Sequence, residues 1–173
     1  MLLIFTGNGK GKTTAALGQA MRTIGDVKKV LMVQFIKGPW ESGEDITQKR
    51  LWPDFRIEKK GLGFVGIGND KIPFKDHVGA ARKAMEYAIK MIDSENVDMI
   101  ILDEVINAYN LKLIRKKEII DFLVYANSKV GDIIFTGRNC PLWLIDRADL
   151  VTEMKEIKHP FKKGVYGRQG LEY

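Results

Sequence analysis

The sequence predicts a three-layer α/β domain in which a mostly parallel sheet is flanked by helices. Three observations carry this expectation. An apolar run near the start, Leu2-Leu3-Ile4-Phe5, leads through a glycine-rich turn into a stretch with helical spacing. Continuous apolar runs of strand length recur at Val30-Leu31-Met32-Val33, Met99-Ile100-Ile101-Leu102 and Ile133-Ile134-Phe135. Runs this short and this apolar suit strands covered on both faces. Between them lie longer stretches whose apolar residues recur every three or four positions, the mark of helices with one buried face. Alternation of the two kinds of segment is the pattern of a parallel sheet with crossover helices.

Taken in order, the first turn is Thr6-Gly7-Asn8-Gly9-Lys10-Gly11-Lys12-Thr13-Thr14. Glycines let a backbone curl so that successive N–H groups face an anion. A helix starting near Lys12 adds further N–H groups and the positive end of its dipole. Lys12 supplies a mobile cation for phosphate oxygens, and Thr13 supplies a hydroxyl for Mg²⁺. Gly7 to Thr14 are therefore candidate ATP-binding residues, and Lys12 a catalytic one. The usual phosphate-loop pattern is Gly-x-x-x-x-Gly-Lys-Ser/Thr. Here Thr6 holds the first glycine position, and counted from Gly7 the loop is one residue short. The bland alternative is a turn with no ligand; Gly-Lys-Thr-Thr between strand and helix argues against it.

The following helix shows Ala16, Leu17, Ala20, Met21 and Ile24 on one face and ends at Gly25-Asp26. Residues 29–35 read as a second buried strand, reached by a crossover. Gln34, Lys37 and Gly38 then fall at the carboxyl edge of the sheet, where open α/β folds bind ligands. Residues 39–53 read as a polar loop carrying Trp40 and Trp52, and residues 56–59 as a short strand. Residues 61–69 are glycine-rich around Phe64 and are expected to be mobile. Pro73 opens a helix to about Ser94, with Val78, Ala81, Met85, Ala88 and Ile92 on one face.

The run Met99-Ile100-Ile101-Leu102 ends in Asp103-Glu104. In phosphate-loop proteins an acid at such a strand end holds the metal, directly or through water. Side chains alternate along a strand, so one of Asp103 and Glu104 is expected to meet the metal. The other would orient water, Thr13 or a neighbouring loop. An acidic strand boundary with no ligand is the alternative. Residues 114–127 read as a helix, and Asp132-Ile133-Ile134-Phe135 as a strand delivering Thr136-Gly137-Arg138-Asn139 to the same edge. Arg138 is either an anion ligand or a surface arginine on a turn. Pro141 starts a short helix to Ala148, and residues 150–154 form a last strand. His159 in the tail has no Cys/His partners at metal-site spacing. Together these elements give phosphate-loop NTPase architecture of the RecA-like kind.

With 173 residues, 45% of them hydrophobic, the chain can bury one core, so residues 1–173 are read as a single domain. A net charge of +6 favours anionic partners without choosing among them. Cys140 is the one cysteine, which excludes an intrachain disulfide and fits a reducing cytosol. The first apolar stretch runs straight into the phosphate loop, unlike a signal peptide, and no segment is long enough to cross a membrane. A cytoplasmic protein is expected.

Several segments together resemble one family, the ATP:corrinoid adenosyltransferases of the phosphate-loop type. They are Thr6-Gly-Asn-Gly-Lys-Gly-Lys-Thr-Thr14, Val33-Gln-Phe-Ile-Lys-Gly38, Gly43-Glu44, Ile101-Leu-Asp-Glu104, Thr136-Gly-Arg138, Ala148-Asp149 with Val151-Thr-Glu153, and Lys158-His159. The match runs nearly end to end, and it includes the shortened loop. The resemblance implies that a Co(I) corrinoid attacks the 5′ carbon of ATP, with triphosphate leaving. It further implies a nucleotide lying reversed in the loop, Mg²⁺ or Mn²⁺ held by Thr13 with Asp103 or Glu104, and a catalytic role for Glu104. It gives Arg138 a weaker place in the site and Phe64 a place against the corrinoid. A flavoprotein reductase would be a partner, and a homodimer is compatible with it; membrane and nucleic acid are not expected. Two departures stand out. Members often carry an N-terminal extension before the loop strand, which here starts at Met1-Leu2. Members often have Gly-Phe-Thr-Trp where this chain has Gly63-Phe64-Val65-Gly66. Both bear on site closure and corrinoid handling rather than on nucleotide binding. The competing readings are a small kinase or ATPase, which would release ADP, and an ATP-dependent switch that binds nucleic acid. The chain lacks the compact basic, aromatic-rich strip that the latter needs.

Overall fold

The computed structural model describes residues 1–68, 70–164 and 166–171. Asn69, the last residue of the expected glycine-rich loop, lies outside them. Six parallel strands form one sheet: β1 (Leu2–Thr6), β2 (Val30–Gln34), β3 (Phe55–Lys59), β4 (Met99–Asp103), β5 (Asp132–Thr136) and β6 (Leu150–Glu153). Their spatial order is β3-β2-β4-β5-β1-β6. β1 and β2 are thus joined by a crossover but are not neighbours; β5 and β4 lie between them.

The helices are α1 (Lys12–Gly25), α2 (Gly43–Leu51), α3 (Phe74–Ser94), α4 (Val105–Asn110), α5 (Lys116–Ala126) and α6 (Leu142–Ile145). Alternation along the strands sorts the core into two layers. Leu31, Val33, Ile100, Leu102, Ile133 and Phe135 pack against α3, α4 and α5. Val30, Met32, Met99, Ile101 and Ile134 pack against Ala16 and Ala20 of α1. Asp103 continues the second set, so its side chain comes out toward α1. No helix among the described residues is long and apolar enough to cross a membrane.

Four helices depart from the sequence expectation, two of them unforeseen and two shorter than expected. Residues 39–53 are not all loop: α2 occupies Gly43–Leu51, with Ser42 and Asp45 forming a capping box. None of its residues is fully buried, so it lacks the apolar stripe that would betray it. The six-residue α4 follows β4 directly. The helix expected over 114–127 is shorter, Lys116–Ala126, and the one after Pro141 ends at Ile145.

Candidate active site

The loop after β1 is built by close backbone approach. Gly7 has a φ of 100° and Gly9 sits beside Met154 and Lys155; a Cβ on either would come within 2.8 Å of that backbone. The Gly9 N–H donates to the Met154 carbonyl (2.7 Å), and the Met154 N–H donates to the Thr6 carbonyl (2.8 Å). The segment just past β6 therefore occupies one N–H that the sequence reading assigned to an anion. Gly7 and Gly9 are buried and Asn8 is exposed, and none of the three lines the open cleft. The Lys12 ammonium donates to the carbonyls of Gly7 (2.8 Å) and Gly9 (2.7 Å). Burial and the nearby Arg138 charge lower its pKa, with Glu104 and Asp103 opposing.

Beneath the loop, Asp103 is fully buried. It accepts hydrogen bonds from Thr13 Oγ1 (2.9 Å), Thr136 Oγ1 (2.7 Å) and Gln34 Nε2 (3.1 Å). Burial raises its pKa, and those hydrogen bonds and Lys37 only partly oppose the rise. The Gln34 Oε1 is the one buried side-chain polar atom without a hydrogen-bond partner among the described residues. Glu104 leaves the strand in the left-handed region, with φ 60° and ψ 19°. That conformation costs a non-glycine residue roughly 1–2 kcal/mol. It is held by the Glu104 N–H on Thr136 Oγ1 (2.8 Å) and by Asn107 Nδ2 on Glu104 Oε1 (3.3 Å). The turn brings Glu104 into the cleft, while Asp103 stays behind Thr13. Burial and the Asp103 carboxylate push the Glu104 pKa up to about 7, against Lys37, Lys12 and Arg138.

The cleft, about 480 Å³, is lined by Lys10 to Thr14, Lys37, Glu44, Glu104 and Arg138, with Gly170 and Leu171 of the tail at its rim. Lys37 pairs with Glu44 at the start of α2. Arg138 is positioned through its backbone. Its N–H donates to Asn107 Oδ1 (2.7 Å), and its carbonyl accepts from Asn110 Nδ2 (2.8 Å). Both partners belong to α4. A second hollow of about 550 Å³ adjoins the first across Lys37 and Glu104, and Trp40 and Phe64 form its aromatic side. Phe64 is 62% exposed, so it is not tucked into the core. The sequence reading missed Trp40, Lys37 as a shared wall, and the tail at the rim. Only Lys37 gave a signal, as a cation at the carboxyl edge of β2.

A strand-to-helix phosphate loop, a buried acid behind its threonine, and cations around one cleft define a nucleotide-binding protein of the phosphate-loop class. The family model for ATP:corrinoid adenosyltransferase BtuR/CobO/CobP matches residues 1–173. The chain is 34% identical over 173 residues to the corrinoid adenosyltransferase of Escherichia coli (strain K12), covering 100% of this chain and 85% of that protein. It is 37% identical over 174 residues to the corrinoid adenosyltransferase of Sinorhizobium sp, covering 100% and 80%. It is 33% identical over 175 residues to a corrinoid adenosyltransferase of Salmonella typhimurium, covering 100% and 85%. The chain belongs to the ATP:corrinoid adenosyltransferase family.

Proposed function

We propose that this protein transfers the 5′-deoxyadenosyl group of ATP to Co(I) of a corrinoid, in adenosylcobalamin synthesis or salvage. The observation that carries the reading is the pair of adjoining hollows. One is cationic and fits a polyphosphate; the other is apolar and aromatic and fits a large flat ring. Lys37 and Glu104 stand between them. A reaction between a nucleotide and a corrin needs such a junction.

In the reaction the Co(I) electron pair forms a bond to C5′. The C5′–O5′ bond breaks, and its electrons leave with triphosphate. No proton need move at the reacting carbon, so the protein's task is to bind, orient and stabilise a departing polyanion. Lys12, the free N–H groups at the start of α1 and Arg138 are the groups suited to that. Thr13 and Glu104 offer oxygen donors to a hard cation, and Asp103 would fix the Thr13 hydroxyl. The oxygen-only set, the orphaned Gln34 Oε1 behind it and two carboxyls held at raised pKa suit Mg²⁺ or Mn²⁺. When bound, the ion would neutralise triphosphate charge. Phe64 would face the corrinoid. Co(I) must come from a reductant, and a cytoplasmic flavoprotein fits that need.

The test is incubation with MgATP and chemically reduced cobalamin. A light-sensitive Co–C product with tripolyphosphate release supports the reading. ADP as the sole nucleotide product would establish phosphoryl transfer in its place.

A further inference from the structure

Trp40 is 64% exposed, yet its ring is not loose. A Cβ at Gly38 would meet the ring at 2.5 Å, and one at Gly63 would meet it at 3.1 Å. The six-membered part of the indole therefore lies against two glycine backbones, where no side chain would fit. Its centroid is 6.1 Å from that of Phe64, with the planes tilted by 35°. The backbone around it is pinned as well. Lys59 Nζ donates to the Trp40 carbonyl (2.5 Å) and pairs with Asp45. Asp45 in turn caps Ser42 at the start of α2. The Gly63 N–H donates to the Ile36 carbonyl (3.0 Å), which ties the Phe64 loop to the same edge.

A large aromatic side chain seated against two glycines and a second ring, with much of its surface still exposed, is pre-organised for stacking, because little freedom remains to be lost on binding. We propose that Trp40, together with Phe64, forms the aromatic floor on which the corrin ring is seated, and that Trp40 sets corrinoid affinity. This rests on the adenosyltransferase reading and deepens it. The ring belongs to the apolar hollow, on the far side of Lys37 and Glu104 from the phosphate loop. The triphosphate fills the near side, so the ligand against Trp40 is the second substrate. Trp40 comes from the β2–α2 connection and Phe64 from the β3–α3 connection, so two separate loops bring their rings to this one hollow.

The test compares wild type, Trp40→Ala and Trp40→Phe. Corrinoid KM is measured with pre-formed cob(I)alamin at saturating MgATP, and ATP KM at saturating cob(I)alamin. Cob(II)alamin binding is measured independently by equilibrium dialysis. Loss of one stacked indole should raise the corrinoid KM and weaken dialysis binding roughly tenfold. ATP KM and melting temperature should stay near wild type, and Trp40→Phe should recover most of the loss. An unchanged corrinoid KM overturns the inference. So does a rise confined to ATP KM, which would seat the adenine on the ring. Equal losses for both substrates with a lowered melting temperature would make Trp40 a packing residue and likewise overturn it. If wild type binds cob(II)alamin through Trp40 but forms no Co–C bond, the reaction reading fails while the binding assignment stands.

Discussion

Replacing Glu104 with glutamine is expected to stabilise the ligand-free protein while removing activity. Burial and the Asp103 carboxylate lift the Glu104 pKa from an ordinary 4.5 to about 7. In the unfolded chain the group ionises at its ordinary value; in the folded chain it resists ionisation. Below pH 4.5 the group is protonated in both states, and its titration costs nothing. Between 4.5 and 7 the penalty grows, and above 7 it is fully present. A rise from 4.5 to about 7 corresponds to roughly 3 kcal/mol against the folded state at pH 8. Glutamine is nearly isosteric, keeps an oxygen for Asn107, and carries no charge. For a chain of this size the relief corresponds to a melting-temperature increase of roughly 5–10 °C at pH 8. The assay is thermal unfolding of wild type and Glu104→Gln at pH 5 and pH 8, without nucleotide or metal. The variant should melt higher at pH 8 and close to wild type near pH 5. An equal difference at both pH values would refute the reasoning, because it would trace the effect to packing instead of charge. Turnover should be lost, or the Mg²⁺ requirement sharply raised, because a neutral amide is a poorer partner for a hard cation.

Lys12→Ala should lower kcat/KM roughly 100-fold or more by removing the charge proposed to meet triphosphate. Its melting temperature should move little, and full activity in the folded variant would remove Lys12 from the site. Thr136→Val deletes the hydroxyl that serves both Asp103 and the Glu104 N–H, at a cost of roughly 1–3 kcal/mol for buried groups left unpaired. Denaturant unfolding checks this, and a shift within error would show that water replaces the hydroxyl. Asn107→Ala releases the Arg138 N–H and one Glu104 contact. ATP KM should rise several-fold with the corrinoid KM unchanged, and the reverse pattern would dissociate Arg138 from the nucleotide. Phe64→Ala should weaken adenosylation of cob(II)alamin under mild reduction more than that of pre-formed Co(I). Equal losses for the two, with a lower melting temperature, would place Phe64 in the packing.

The strands and the large helices were legible because each has one strong physical signature. β2, β4 and β5 are continuous apolar runs because both of their faces are covered, and α3 buries a stripe that includes Ala81, Met85 and Ala88. α2 was not legible because it packs too little to need a stripe; its start is marked only by Ser42 and Asp45. α4 is too short for periodicity to register. Of the site, Lys12, Thr13 and the two acids follow from local motif chemistry. Two features needed three dimensions. Alternation predicts that Glu104 points away from Asp103, but Glu104 is no longer strand, and its left-handed backbone re-aims it into the cleft. Trp40 reads as an aromatic in a polar loop; its role emerges only when Gly38 and Gly63 come together beneath the ring.

The ligand-free site holds its charged groups at a disadvantage, and the disadvantages share one remedy. Asp103 is pushed toward its neutral form by burial, and Glu104 by burial and by the Asp103 carboxylate. Lys12 is pushed toward its neutral form by burial and by Arg138, and it lies folded onto the carbonyls of its own loop. A divalent cation held by Thr13 and Glu104 and a triphosphate against the lysine would together oppose these shifts. Neither would do so alone. A cation without phosphate leaves Lys12 and Arg138 unmatched, and phosphate without the cation sets more negative charge beside Glu104. The cost of the unliganded arrangement thus favours joint binding of metal and nucleotide over binding of either one.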